Sequence, residues 1–182
     1  MRKQTEMIRL KWVTQFAAFL GALFVCAASG HATDIGGTIS STLTITEDSQ
    51  LVDDVTCTVT SAPCIVISAP HVTLELNGFT MTGQGDAQTG CGGLPSTFAP
   101  PAVEDGIDVI GQTDVTIHGP GLIQRFRNAG IWLSDSTDVT VRDVSLSTNC
   151  TSGILVGGGS GHNLRGNLSV RNGNGTLPCG GI

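Results

Sequence analysis

The clearest feature of this sequence is a repeated alternation of apolar and polar residues in short segments. Gly106, Gly130 and Gly153 begin the segments Gly-Ile-Asp-Val, Gly-Ile-Trp-Leu and Gly-Ile-Leu-Val. Another Gly-Ile pair begins at Gly181, and the four glycines are separated by 24, 23 and 28 residues. An alternation with a period of two residues is typical of a β-strand that buries one face. The repeat therefore predicts equivalent short strands in successive units.

Two further segments complete each unit. The second begins eight residues after the glycine, and the third follows it closely. The second segments are 114–118, 138–142 and 161–165, and the third segments are 122–123, 144–146 and 168–170. Turn-forming Gly, Asn, Asp or Ser residues separate them, and a less regular unit precedes them over 65–83. Each unit is thus predicted to hold three short strands joined by tight turns.

A unit of this size cannot bury its apolar side chains alone, but copies stacked on one another can. Each strand then pairs with the equivalent strand in the units above and below. We therefore predict an all-β fold, a parallel β-helix or solenoid of about four to five coils. A β-sandwich or an up-and-down barrel is the alternative, but both require antiparallel hairpins with short turns and fit the repeat less well.

Equivalent positions in stacked coils lie about 4.8 Å apart, so the repeat predicts which side chains meet. The predicted inward ladders are Ile107, Ile131 and Ile154; Val109, Leu133 and Val156; and Ile117, Val141 and Leu164. Burial of each such side chain contributes roughly 1.5–3 kcal/mol. At one corner, Asn149 and Asn172 are expected to satisfy backbone groups inside the coil.

The first 32 residues have the composition of a secretory signal peptide. Four basic residues within positions 2–11 accompany an apolar stretch over 12–28, and Gly30 and Ala32 provide the small residues of a cleavage site. A membrane anchor is the alternative, although the stretch is at the lower limit for a span. We expect a secreted, periplasmic or cell-surface protein, with no membrane association after cleavage.

The rest of the chain divides into two predicted parts. Residues 33–63 are rich in Thr, Val, Ile and Ser and are expected to form an N-terminal cap and the first strands, and residues 64–182 form the coils. The sequence ends at Ile182, at the opening of a new coil, with no polar cap after it. We therefore expect the solenoid to be open at its C-terminal end, where missing coils or another chain would cover the last layer.

The charge balance narrows the classes of partner. Without residues 1–32 the chain contains five Arg, no Lys and fourteen Asp or Glu, which gives a net charge of −9. Such acidity disfavours general binding of nucleic acid or of anionic membranes. The five arginines all lie in the C-terminal third, whereas residues 33–124 contain eleven acidic residues and no Lys or Arg.

Five cysteines remain after residue 32, and an exported chain meets conditions that favour disulfides. Cys150 and Cys179 lie at the same corner of consecutive coils, so a bridge between them is geometrically reasonable. Cys57 and Cys64 would close a tight loop. Pairing of Cys91 with either of these two is the rival assignment, and no cysteine or histidine spacing indicates a metal site.

Three segments carry a resemblance to a known family: Leu-Asn-Gly-Phe-Thr-Met-Thr-Gly at 76–83 and the repeats that begin at Gly130 and Gly153. They resemble the repeats of secreted right-handed parallel β-helix proteins of the pectate-lyase-like superfamily, many of them bacterial. The resemblance covers roughly residue 64 to the end. It implies a right-handed coil and an exported protein that binds or processes polysaccharide, and, for the lyases of this superfamily, a calcium cofactor. A shared fold does not specify the activity.

The outward columns supply the candidate ligand-binding residues. On the first strand Asp108, Trp132 and Leu155 share a column, with Trp132 as a possible sugar platform or as packing under the loop over 84–104. On the second strand His118, Arg142 and Arg165 share a column that would attract an anion, unless neighbours such as Asp143 balance it.

The sequence contains no recognisable catalytic set. Asp108 has no acidic neighbour in its column, and the only Asp-Asp pair, at 53–54, precedes the repeats. The sequence also lacks the P-loop, nucleophile-elbow and zinc-protease motifs. We therefore expect an exported protein that binds or processes polysaccharide, and the alternative is a non-enzymatic cell-surface scaffold or adhesion protein.

Overall fold

The computed structural model of the chain describes residues 32–91 and 103–173. The predicted signal peptide, Cys179 and the last Gly-Ile pair lie outside these residues. All regular elements in the described ranges are β-strands. No helix in these ranges is long and apolar enough to cross a membrane.

The strands are short, and most contain three or four residues. In chain order they are β1 Thr33–Ile39, β2 Leu43–Ile45, β3 Ser49–Cys57, β4 Ile65–Ile67, β5 Thr73–Glu75, β6 Thr80–Thr82, β7 Ile107–Ile110, β8 Thr116–His118, β9 Leu122–Gln124, β10 Ile131–Ser134, β11 Ser136–Thr137, β12 Thr140–Arg142, β13 Ser145–Ser147, β14 Ile154–Val156, β15 Gly159–Ser160, β16 Asn163–Arg165 and β17 Leu168–Val170.

These strands form two main sheets in which most neighbours are equivalent strands of successive repeats. Sheet 1 has the order β14-β10-β7-β4-β2. Sheet 2 has the order β16-β12-β8-β5-β3-β6-β9-β13-β17, and β1 also pairs with β3. Every pair among the described strands is parallel. The prediction of an all-β fold with stacked parallel strands is confirmed, and the antiparallel alternatives are wrong.

The N-terminal region extends the same sheets. β3 is long enough to pair with β5 through its first half and with β6 through its second half. β2 pairs in register with β4 of the next layer. The strands predicted for residues 33–63 are therefore continuous with the sheets of the later repeats.

The predicted inward ladders form in the expected register. Ile107, Ile131 and Ile154 are aligned across three strands of sheet 1 and are at most 2% exposed. The strand register also aligns Val109 with Leu133 and Val156, and it aligns Ile117 with Val141 and Leu164. Val156, in the last of these layers, is 43% exposed, because its layer is stacked on one side only within the described residues.

Turns between the strands reuse one backbone conformation from layer to layer. Asp114, Asp138 and Gly161 occupy equivalent corners and have φ angles of 54°, 55° and 74°. This left-handed region is costly for most residues but is tolerated by Asn and Asp and is natural for Gly. The backbone N–H of each Asp donates to a carbonyl of the next layer, namely Thr137 and Ser160. The Asp and Gly residues between the segments therefore allow the chain to turn without losing its register.

Asparagines close the corner after the third strand, as the sequence predicts. The Oδ1 of Asn149 accepts a hydrogen bond from the Phe126 N–H at 3.0 Å, and its Nδ2 donates to the Ile123 carbonyl at 3.2 Å. Its own N–H donates to Oδ1 of Asn172 at 2.9 Å. Since Asn149 is fully buried, these bonds satisfy backbone groups that have no access to water.

One of the two predicted disulfides is present and the other is replaced. Cys57 and Cys64 are bonded, which confirms the tight loop. The Cys150–Cys179 prediction is wrong, because Cys150 is bonded to Cys91, with a Cα–Cα distance of 4.7 Å. The loop backbone reaches the Cys150 corner at Gly90, where an added Cβ would lie 2.9 Å from the Cys150 nitrogen. A residue without a side chain permits this approach and places Cys91 beside Cys150.

The disulfide connectivity is directly testable by mass spectrometry of peptides from the unreduced protein. We expect linked peptides that contain Cys57 with Cys64 and Cys91 with Cys150. Loss of the longer bridge is expected to destabilise the fold by about 4 kcal/mol, because it closes a long loop in the unfolded chain. A linked Cys150–Cys179 peptide as the main species would contradict this assignment.

The corner asparagine is the second test of the fold. Asn149→Ala leaves the Phe126 N–H and the Ile123 carbonyl without their partners, at a cost of about 1–3 kcal/mol for each buried group. Denaturant unfolding of the full chain measures this loss. Asn163→Ala on the exposed side of β16 is the control, and a similar loss in both variants would argue against a special role for the corner.

Candidate functional site

The outer face of sheet 1 carries a column of side chains in register. Thr44, Val66, Asp108, Trp132 and Leu155 occupy it on β2, β4, β7, β10 and β14. The predicted column of Asp108, Trp132 and Leu155 is therefore present. Asp108 is only 6% exposed, whereas Trp132 and Leu155 are half-buried. We call this surface, together with Ile110 beside Asp108, the sheet 1 outer face.

A second carboxyl that the sequence analysis missed lies beside Asp108. Asp105 precedes β7 by two residues and is 1% exposed. Its Oδ1 accepts a hydrogen bond from the Ala129 N–H at 2.8 Å. Its Oδ2 and the Oδ1 of Asp108 are buried and have no hydrogen-bond partner apart from the interaction between the two carboxyls. The sequence feature that could have identified Asp105 is an acid directly before Gly106, because the following repeats have Ala129 and Ser152 at this position.

Burial and mutual repulsion give the two carboxyls different pKa values. Burial raises the pKa of Asp105 to about 6, although hydrogen bonds from the Ala129 N–H and from the side chain of Asn128 oppose this shift. Burial, and then the negative charge of Asp105, raises the pKa of Asp108 to about 8. At neutral pH Asp108 therefore keeps its proton and can donate it in a hydrogen bond to the ionised Asp105. The pair holds one proton between two acids.

Trp132 occupies the neighbouring position of the column, on β10. Its Nε1 is buried and has no hydrogen-bond partner, and it lies 3.5 Å from the position that a Cβ would take at Gly157. The ring therefore leans toward the end of β14 and away from Asp108. Ile110, which is 51% exposed, and Leu155 extend the apolar surface.

The charges of Glu104 and Arg127 neutralise each other. Glu104 accepts a hydrogen bond from the Arg127 Nε at 2.5 Å, and both side chains are largely buried. The second carboxylate oxygen of Glu104 accepts from the Ser61 N–H at 2.8 Å. Beside Asp105 these two residues line a cavity of about 10 Å³, the space of roughly one water molecule. Arg127 is thus paired and supplies no free positive charge to the acid pair.

The second predicted column is also present, on the outer face of sheet 2. His118, Arg142 and Arg165 are in register, and Glu75 extends the column on the other side of His118. The Nδ1 of His118 lies 2.6 Å from Oε2 of Glu75. Asp143 Oδ2 lies 3.7 Å from Arg142 Nη1 and 3.9 Å from His118 Nε2. The two carboxylates balance most of the positive charge, and Glu75 was missed because it precedes the regular repeats.

Calcium does not fit the side chains that are described. This ion takes about six to eight oxygen ligands. The described residues contain no group of three or more His, Cys, Asp or Glu side chains placed to hold a metal. Asp105 and Asp108 provide two carboxyls, one of which keeps its proton at neutral pH.

Comparison of the chain with protein-family models, with curated proteins and with solved structures found no match. The likeness to the pectate-lyase-like superfamily therefore rests on the repeat segments themselves. Function is inferred from the geometry of the sheet 1 outer face and of the column on sheet 2.

The acid pair makes stability depend on pH in a defined direction. Both pKa values lie above the ordinary value of 3.8, so the folded state binds more protons than the unfolded state. The pair makes its full contribution to the free energy of unfolding below about pH 4, and this contribution is lost as the pH rises through about 8. Asp108→Asn removes the buried proton site, so we expect the variant to gain stability relative to the parent between about pH 5 and pH 9.

Denaturant unfolding at a series of pH values measures this difference. Asp138→Asn, at an exposed corner, serves as the matched control and should run parallel to the parent. An Asp108→Asn curve that also runs parallel to the parent would contradict the shared proton.

Proposed function

We propose that this chain is an exported right-handed parallel β-helix protein related to the pectate-lyase-like superfamily. Three observations support the proposal: equivalent strands stack in parallel at the spacing of the repeat, turns recur at the same corners, and the segments resemble those of the superfamily. The five strands of sheet 1 then belong to five successive coils. The leader composition and the two disulfides support passage into an oxidising compartment.

The protein binds or processes polysaccharide through the sheet 1 outer face. The observation that carries this proposal is the position of Trp132 directly beside Asp108 on neighbouring strands. An aromatic ring offers an apolar surface to the C–H face of a sugar, and a neighbouring polar group fixes orientation. Rigid strands hold both groups, as a repeated contact with a polymer requires.

The acid pair adds a capacity for proton transfer. Two carboxyls with separated pKa values can serve as a proton donor and a proton acceptor at the same pH. Asp108 would be the donor, and Asp105, which is 1% exposed, would act on a substrate only through Asp108. Their low exposure makes binding the primary role, and processing requires the substrate to reach Asp108 beside the Trp132 ring.

A non-enzymatic surface scaffold is the second candidate function. The balanced charges on sheet 2 favour it, because Glu75 and Asp143 leave few groups there that need a ligand. A stiff stack of parallel strands is well suited to presenting a surface without chemistry. Glycan binding distinguishes the two functions.

The test is a panel of acidic and neutral glycans, with and without calcium. Binding is measured by affinity electrophoresis, and cleavage by release of reducing ends and by ultraviolet absorbance of unsaturated uronates. We expect at least one glycan to bind, and Trp132→Ala to weaken binding by roughly tenfold or more, as for a central aromatic contact. Absence of binding and cleavage across the whole panel would leave the scaffold function.

A further inference from the structure

The two outer faces differ sharply in charge. Sheet 2 presents Glu75, His118, Arg142 and Arg165 in one column. Sheet 1 presents Thr44, Val66, Trp132 and Leu155, with Asp108 as the only titratable side chain in the column. The neighbouring outward positions are Ile110 and Ser134. A polymer along this column therefore meets a mainly apolar surface, with the exposed carboxylate of Asp135 at its edge directly after Ser134.

The groups packed around Asp108 explain why this column stays uncharged, while the one exposed acid directly after β10 is Asp135. The flanking strands β4 and β10 contribute Val66 and Trp132 to the column, and neither titrates. Asp105 is the one carboxyl that interacts with Asp108, and it favours the protonated form of Asp108. Glu104 and Arg127, behind Asp105, neutralise each other.

A polyuronate is a poor occupant of such a face. Binding would bring its carboxylates close to Asp105 and Asp108, and the described part of sheet 1 supplies no Lys or Arg to compensate them. Desolvation of an unpaired charge is costly. An uncharged sugar ring carries no such cost and gains from contact with the indole.

We propose that the sheet 1 outer face binds an uncharged polysaccharide whose sugar rings pack against Trp132. The proposal rests on the polysaccharide function given above and specifies its ligand class. Three features carry it: the half-buried indole in register with Asp108, the apolar side chains of Leu155 and Ile110 on either side, and the absence of a cation among the described residues of this sheet. Asp108, which keeps its proton at neutral pH, adds no charge to this column.

The chain allows a direct optical test. Its only tryptophans are Trp12 and Trp132, so fluorescence from a full chain carrying Trp12→Phe reports Trp132 alone. The probes are galactomannan and arabinoxylan as uncharged glycans, and polygalacturonate and alginate as polyuronates. We expect an uncharged glycan to change the emission of Trp132 and to bind at least tenfold more tightly than either polyuronate.

Variants distinguish glycan binding at this surface from nonspecific binding to other exposed apolar residues. Trp132→Ala should lower the affinity by tenfold or more, whereas Trp132→Phe should keep a large part of it because an aromatic ring remains. Leu168→Ala is the control, since Leu168 is a 59% exposed apolar residue on the outer face of sheet 2. It should bind like the parent chain.

Asp108→Asn tests the neutral state. Asn is uncharged at every pH, so the variant should bind the uncharged glycan at pH 7 within about twofold of the parent. Binding by the parent should weaken as the pH rises through about 8, where Asp108 ionises. Binding by the variant should not change over the same range, and Asp138→Asn should follow the parent.

The outcomes are distinguishable. Tighter binding of a polyuronate than of any uncharged glycan, with loss in Trp132→Ala, overturns the ligand class and leaves the polysaccharide function standing. Loss of uncharged-glycan binding in Asp108→Asn at pH 7 also overturns it, because an ionised Asp108 would then be required. Binding of no glycan overturns both proposals. A Trp132-dependent dimer in light scattering, without glycan binding, would assign the face to a second copy of the chain.

Discussion

The structure depends on parallel backbone pairing between segments that are equivalent in successive repeats. Each three-residue strand is too short to be stable alone and gains its hydrogen bonds from the strands above and below. This pairing places Ile107, Ile131 and Ile154 over one another and thereby buries a core that no single unit could bury. It also places the outward residues in columns, so that the same constraint builds both the core and the surfaces.

The corners make this pairing possible. A register error of one residue would turn every inward side chain outward. Asp and Gly residues with positive φ hold the turns at the same length, and Asn149 and Asn172 satisfy the backbone groups that the turns expose inside the stack. The disulfide between Cys91 and Cys150 adds a covalent link between the loop after β6 and the corner before β14. Rigid placement of outward side chains is the functional consequence.

Electrostatics distinguishes the two outer faces. On sheet 2 opposite charges lie within a few ångströms of one another and remain in contact with solvent. On sheet 1 the single acid of the column is buried beside a second acid, so one of them retains its proton. Charge is thereby removed from the face that carries the indole ring. The contrast arises from the residues that occupy the outward positions next to the inward ones. It does not arise from a difference in fold.

The repeat alone determined the parallel stacking, the inward ladders, the outward columns and the corner role of the asparagines, because each of these follows from aligning equivalent positions. Only the tertiary structure decided what lies outside the aligned columns. Asp105 approaches Asp108, and Cys91 reaches Cys150 across the loop that interrupts the repeat. Periodicity reports which positions are equivalent, whereas these contacts join non-equivalent positions whose distances depend on how the corners and the loop fold back on the stack.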